Sequence, residues 1–332
     1  MLATKPLGKT GLTVTRLGLG MAALGRPGYI NLGHSADLEE NYDVATMEAR
    51  ARTVLDAAWA AGVRYFDTAR SYGRGEEFLG RWLEARGIKP AEVVIGSKWG
   101  YTYTAGWSTT AAAHEVKDHT LPTFRRQFAE SQSILGAQLD LYQIHSATLE
   151  SGVLDDAEVL RALVEVKSQG IPIGLSVSGP RQAETIAKAL EACVDGERVF
   201  DCVQATYNVL ETSASPALAE ASAAGLGVII KEGLANGRLT ARNVQDALLR
   251  SRNVLERQAE RLKTSIDALA LAAILYQPWV DTVLSGAATT EHLHSNLAAA
   301  QVVWDAECAT ALASLTEPRD QYWSTRSQLP WN

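Results

Sequence analysis

Asp67 closes an apolar run, Val63-Arg64-Tyr65-Phe66-Asp67, and Tyr72 follows five residues later in a short polar loop. Two further ionisable residues end similar runs: Lys98 after Val93-Val94-Ile95-Gly96-Ser97, and His145 after Leu141-Tyr142-Gln143-Ile144. A lysine at the end of a hydrophobic strand needs a partner for its ammonium. Two chemistries fit these types. In one, Lys98 is the amine of a Schiff base, as in a barrel aldolase. In the other, Lys98 pairs with Asp67, its charge lowers the pKa of Tyr72, Tyr72 donates a proton to a developing alkoxide, and His145 orients and polarises a carbonyl. The relay employs all four groups, whereas the Schiff base leaves the Asp67–Tyr72 loop without a purpose. Taken singly, each residue also has a plain reading: an ion pair, a packing aromatic, a core histidine.

Polar groups at successive strand ends must be held by a scaffold that brings those ends together. Short β-branched runs near 16–20, 64–68, 93–97, 140–145, 172–177, 202–206, 227–231 and 280–285 alternate with helical patterns. The latter lie near 45–60, 76–87, 121–136, 156–169, 180–191, 216–224, 254–271 and 289–300. Regular alternation implies parallel strands with right-handed crossovers, and eight units favour a closed (β/α)₈ TIM barrel. No linker divides the chain, so residues 1–332 are expected to form a single barrel domain. Lys5 to Val14 reads as an N-terminal β-hairpin capping the barrel bottom. Stretches 22–44, 99–120 and 232–253 exceed ordinary loops and follow strands, which puts them at the C-terminal face above the chemistry. The tail, 317–332, reads as irregular.

Composition narrows the partners. A 46% hydrophobic chain of 332 residues can bury a large core, and a net charge of −7 with scattered basic residues carries no nucleic-acid footprint. Three widely spaced cysteines fit a reducing, cytoplasmic setting and give no metal spacing. No long apolar stretch suggests a signal peptide or a membrane span. A monomer or small homo-oligomer acting on a small molecule is expected. Gly18-Leu19-Gly20-Met21-Ala22-Ala23 imitates a dinucleotide fingerprint, with Asp37 and Glu39 at ribose distance, but Gly25, Pro27 and Gly28 interrupt the helix that should follow. The histidines at 114, 119, 292 and 294 lack ligand partners at metal spacing, so no metal is expected.

The ordered set of motifs resembles the aldo-keto reductase superfamily. It runs from Leu7-Gly8-Lys9-Thr10-Gly11 through Phe66-Asp67-Thr68-Ala69, Ser71-Tyr72-Gly73, Ser97-Lys98, Ile144-His145-Ser146, Gly174-Leu175-Ser176 and Val203-Gln204 to Gly286 and Asn296. The resemblance implies an NAD(P)-dependent oxidoreductase in which Asp67, Tyr72, Lys98 and His145 are the catalytic tetrad. It also implies a cofactor extended across the barrel mouth. Ser176 and Gln204 would hold the carboxamide and Tyr207 would stack on the nicotinamide. Gly233, Leu234, Asn236 and Arg238 would reach the pyrophosphate, and Ser285, Gly286, Ala288, His292 and Asn296 would serve the adenine end. Val177 replaces the family's asparagine, with Ser178 as a substitute. His292 stands where an arginine usually neutralises a 2′-phosphate. NADP(H) is therefore only slightly favoured over NAD(H).

Substrate walls are expected from Tyr29 and Ile30, and from Trp99, Tyr101 and Trp107 in the second long loop. An aromatic pocket suits an aldehyde, a ketone or a sugar, and no Arg/Lys cluster for a charged substrate is evident. Besides the aldolase, a cofactor-binding, redox-sensing barrel with slow turnover is the other alternative.

Overall fold

The computed structural model describes residues 2–243 and 249–332, with only the backbone of 249–251. Eight parallel strands close into a barrel in sequence order: β1 Leu17–Gly20, β2 Tyr65–Asp67, β3 Val94–Trp99, β4 Leu141–Ala147, β5 Ile173–Val177, β6 Cys202–Thr206, β7 Gly227–Lys231 and β8 Thr282–Ser285. The register pairs Gly20 with Asp67, Asp67 with Gly96, and Lys98 with Gln143. Side chains alternate across a strand, so Tyr65 and Asp67 share the inner face, as do Leu141, Gln143 and His145. At the bottom this face is apolar. Tyr65, Val94, Leu141, Cys202 and Ile229 pack there with Leu7. The hairpin of Thr4–Pro6 and Thr13–Thr15 that carries Leu7 plugs this end, with Gly8 N donating to the Asp281 carboxylate (3.1 Å). Towards the top, the inner layers turn polar.

The helices wrap the barrel, each amphipathic pattern facing a strand. Some of their starts are fixed by side-chain caps. Asp43 accepts from Thr46 N before helix 44–60, and Asp156 accepts from Val159 N before helix 157–168. Two expectations are corrected. The single helix expected over 254–271 is two, 249–261 and 266–275. Lys263 adopts φ +52°, and Ser265 caps a new helix by accepting from Ala268 N. The tail is not irregular: helix 319–327 starts after Pro318 and buries Tyr322 and Trp323.

The long loops have structure of their own. Residues 101–103 and 115–117 pair as a hairpin, and 34–37 form one helical turn. Of the 232–253 stretch, residues 244–248 lie outside the described residues. Gly25 lets the first long loop touch the turn that carries Tyr72, because a Cβ there would stand 2.3 Å from the Tyr72 carbonyl oxygen. Arg74 N donates to the Gly25 carbonyl (2.7 Å), fixing that approach. Among the described residues, no helix is long and apolar enough to cross a membrane.

Candidate active site

Lys98 is fully buried and its three ammonium protons have three acceptors. They are the Asp67 carboxylate in close contact, the Thr68 carbonyl (2.9 Å) and the Tyr72 hydroxyl (3.5 Å). The other Asp67 oxygen accepts from Gln204 (2.9 Å), Tyr65 (3.2 Å) and Gln143 (3.3 Å). A buried ion pair is tolerable only when its remaining polar atoms are satisfied in this way. Tyr72 stands at the open side of the pair and lines a cavity of about 370 Å³ with Asp67, His145 and Gln204.

His145 reaches the cavity through an irregularity. The pairing of β4 with β5 is regular up to Ile144 and resumes at Ala147, leaving His145 and Ser146 in a bulge with Ser146 at φ +52°. Bulges re-aim side chains beside active sites. This one is pinned by Ser146 N donating to Ser176 Oγ (2.8 Å), and His119 Nε2 bonds the His145 carbonyl (2.9 Å). The imidazole Nδ1 lies 3.3 Å from Ser71 Oγ, and the ring meets Tyr72 edge-on at 5.4 Å.

Electrostatics differ from the expected tuning in one respect. The Tyr72 pKa is raised, first by burial and then by Asp67, with Arg26 opposing. The lowering expected from Lys98, whose ammonium is paired with Asp67, is outweighed by burial and by that carboxylate. Tyr72 therefore holds its proton firmly at neutral pH. Burial, then Lys98 and Arg26, push the His145 pKa well below its ordinary value, so the imidazole is neutral. Burial likewise lowers His34 and His119 to about 4. The unfolded chain binds these protons near pH 6.5 and the folded protein does not, so stability is lost as pH falls below 6.5. The melting temperature at pH 4.5 is expected to lie on the order of 10 °C below that at pH 7. A flat profile would contradict the neutral assignment.

Other expected contacts divide. Tyr29, Ile30, Tyr101, Gly233, Leu234, Asn236, Ser285, Gly286, His292 and Asn296 line the same cavity as Tyr72, as does Ser178. Trp99 does not: it is buried outside the barrel against Phe124 (4.9 Å) and His119. Trp107 packs on Phe78 and donates to the Tyr42 carbonyl (2.6 Å). Tyr207 packs edge-on against Trp279 (4.9 Å), away from the cavity lining. Arg238 is engaged by Glu317, Ser176 by the bulge, and Ala288 is buried.

The sequence reading missed the charged wall. Arg26, Glu115, Lys231, Glu232 and Arg326 all line the cavity, so basic residues do converge there, although Arg70 and Arg74 near Tyr72 do not contribute. Arg26 Nη1 donates to Glu115 (2.8 Å) and to the Ser71 carbonyl (3.0 Å), and its guanidinium lies 4.8 Å from the Trp331 ring. Trp331 stacks on His114 at 4.2 Å. Arg326 donates to Glu232 (2.7 Å). Although burial pushes the Glu232 carboxyl up, Arg326 and Lys231 hold it down to about 2. Lys231 and Glu232 sit at the end of β7, so the strand-end rule that picked out Lys98 reaches them too. Arg326 and Trp331 carry no local signal.

A model of the aldo/keto reductase family matches residues 16–317. The chain belongs to that family. Pyridoxal 4-dehydrogenase of Microbacterium luteolum is 27% identical, covering 97% of this chain and 95% of its own. D-threo-aldose 1-dehydrogenase of a Pseudomonas species is 30% identical over 64% of this chain and 68% of its own. The holo form of an aldo-keto reductase from Bacillus halodurans superposes with a TM-score of 0.73 at 22% identity, covering 95% of this chain and 96% of its own. That likeness establishes the barrel. As a family member, the protein is an oxidoreductase, and the family's nicotinamide chemistry has to be met by the residues described above. They fit such a group: among the described residues, the cavity continues from Tyr72 to Gly286, where nothing lies within 4 Å of a Cβ position, and on to Asn296, whose buried Oδ1 has no hydrogen-bond partner.

Proposed function

We propose that this protein transfers hydride between a nicotinamide cofactor and the carbonyl carbon of a small hydroxylated aldehyde or ketone, or runs the reverse oxidation of the alcohol or sugar. The observation that carries the reading is the neutral, protonated Tyr72 beside the Lys98–Asp67 pair, facing the same cavity as His145. The nicotinamide, when bound, supplies or accepts the hydride. Tyr72 gives its proton to the carbonyl oxygen as negative charge grows there, and the Lys98 ammonium stabilises the phenolate left behind. Neutral His145, with Ser71 at Nδ1, presents Nε2 to the same oxygen. In oxidation the order reverses, and Tyr72 must first lose its proton.

The residues that would hold the cofactor are Gln204, Ser178, Gly233, Leu234, Asn236, Ser285, Gly286 and Asn296. The amides that open helix 290–297 suit a phosphate. Gln204 Nε2 is occupied by Asp67, which supports a link between the carboxamide site and the relay. The Schiff-base alternative is disfavoured because every proton of Lys98 is engaged and a nucleophilic amine needs a free lone pair.

The wall of the cavity supports a hydroxylated substrate. Paired guanidiniums and carboxylates offer both donors and acceptors, while Tyr29, Tyr101 and Trp331 offer apolar faces. The names of the pyridoxal and aldose relatives point the same way. A panel of size-matched aldehydes tests this. The hydroxylated members are expected to show kcat/KM roughly tenfold or more above the apolar ones, with Arg326→Gln raising KM for the former only. Preference for apolar aldehydes would refute the substrate class.

A further inference from the structure

The cavity's far end, away from Tyr72, is acidic. Asp267 lines it, with Ser295 Oγ donating to Oδ2 (2.7 Å). Arg242 and His292 line it too, and both face Asp37, whose side chain is only 2% exposed. Asp37 holds the Arg242 guanidinium in close contact and lies 3.7 Å from His292 Nε2. The imidazole is neutral, since burial lowers its pKa and Arg242 adds to that despite Asp37. Among the described residues this end thus holds the carboxylates of Asp37 and Asp267 and one guanidinium, that of Arg242, which Asp37 already engages.

Two buried oxygens, one of them on the lining residue Asn296, lack partners here. Asp37 Oδ2 and Asn296 Oδ1 are buried without a hydrogen-bond partner among the described residues, and Asn296 spends its amide on Ser285 Oγ (2.8 Å). Both are acceptors. A phosphate dianion brings acceptors and negative charge; a ribose hydroxyl brings a donor. The side chains of this end therefore offer acceptors to a donor and set carboxylate charge against a phosphate, opposing the amides that open helix 290–297.

We propose that Asp37, by engaging Arg242 and adding its charge to that of Asp267, makes the protein select NAD(H) over NADP(H). This inference rests on the reading above that the dinucleotide lies along the cavity with its adenosine at this end. Asp37 is a specificity-determining residue that acts through Arg242 and His292, while Asn296 and Asp267 provide the acceptors that face the ribose.

The test is calorimetric titration of the full chain with NADH and with NADPH, which reads binding without turnover. Wild type is expected to bind NADH at least roughly tenfold more tightly. Asp37→Asn keeps the shape, removes the charge and frees Arg242. It is expected to narrow the ratio by roughly tenfold, mainly by tightening NADPH. Asp267→Asn, at a site that asks less of the fold, moves the ratio in the same direction. Equal or tighter binding of NADPH by wild type would overturn the inference, as would a ratio that both folded variants leave unchanged. Binding of neither cofactor would instead remove the nicotinamide reading itself, and this inference with it.

Discussion

Tyr72→Phe is expected to lower kcat for carbonyl reduction by roughly 10²-fold or more while leaving the cofactor Kd within about a factor of two. The substitution deletes one oxygen. The ring keeps its edge contact with His145 and its place 5.2 Å from the Arg26 guanidinium. The ion pair of Lys98 and Asp67 is untouched, because the phenol is the weakest of the three Lys98 contacts at 3.5 Å. What disappears is the hydroxyl poised between that pair and the cavity. Since the phenol holds its proton up to high pH, wild-type reduction should show no loss from Tyr72 ionisation across the neutral range. Steady-state kinetics and a binding titration on the same preparation separate the two effects. Near wild-type turnover in Tyr72→Phe would sink the mechanism.

Lys98→Met carries the second large effect, and it has two parts. Activity falls about as far as in Tyr72→Phe, because the phenolate formed in the reaction loses its counter-charge. Stability also falls, by about 3–5 kcal/mol, because the Asp67 carboxylate stays buried with only neutral donors around it. Adding Asp67→Asn to Lys98→Met should restore much of the melting temperature and none of the activity. That split tells a buried pair which merely holds the barrel together from one that also serves the proton donor. A double variant that regained turnover would place Lys98 and Asp67 outside the chemistry.

Much of this geometry was legible because it follows from alternation. Asp67, Lys98 and His145 end apolar runs, and in a closed barrel such ends converge. The same rule corrects the misplaced aromatics. Trp99 follows inward-facing Lys98 and must point outward, onto Phe124 of helix 121–135. Tyr207 follows Thr206 at the end of β6 and packs on Trp279 rather than over the mouth. Lys231 ends β7 two residues after inward-facing Ile229 and so lines the cavity, as Lys98 does its own wall. The tail was not legible. Nothing in the local pattern of 317–332 says that a short polar helix will carry Arg326 to Glu232, or that Trp331 will stack on His114. Those contacts depend on where loops from distant strands meet. Asp37 is a similar case. It lies at ribose distance from a false fingerprint, yet its place behind Arg242 and His292 is made by the folding of two long loops against each other.

Isotopic labelling is the direct test of hydride transfer governed by Tyr72. Wild type and Tyr72→Phe would be incubated with a hydroxylated aldehyde and NADH, or NADPH, dideuterated at the nicotinamide C4. Mass spectrometry would then locate deuterium in the product alcohol. One deuterium is expected on the former carbonyl carbon with wild type, and almost no labelled product with the variant. Saturable cofactor binding without label transfer, together with borohydride trapping of the aldehyde on Lys98, would contradict hydride transfer.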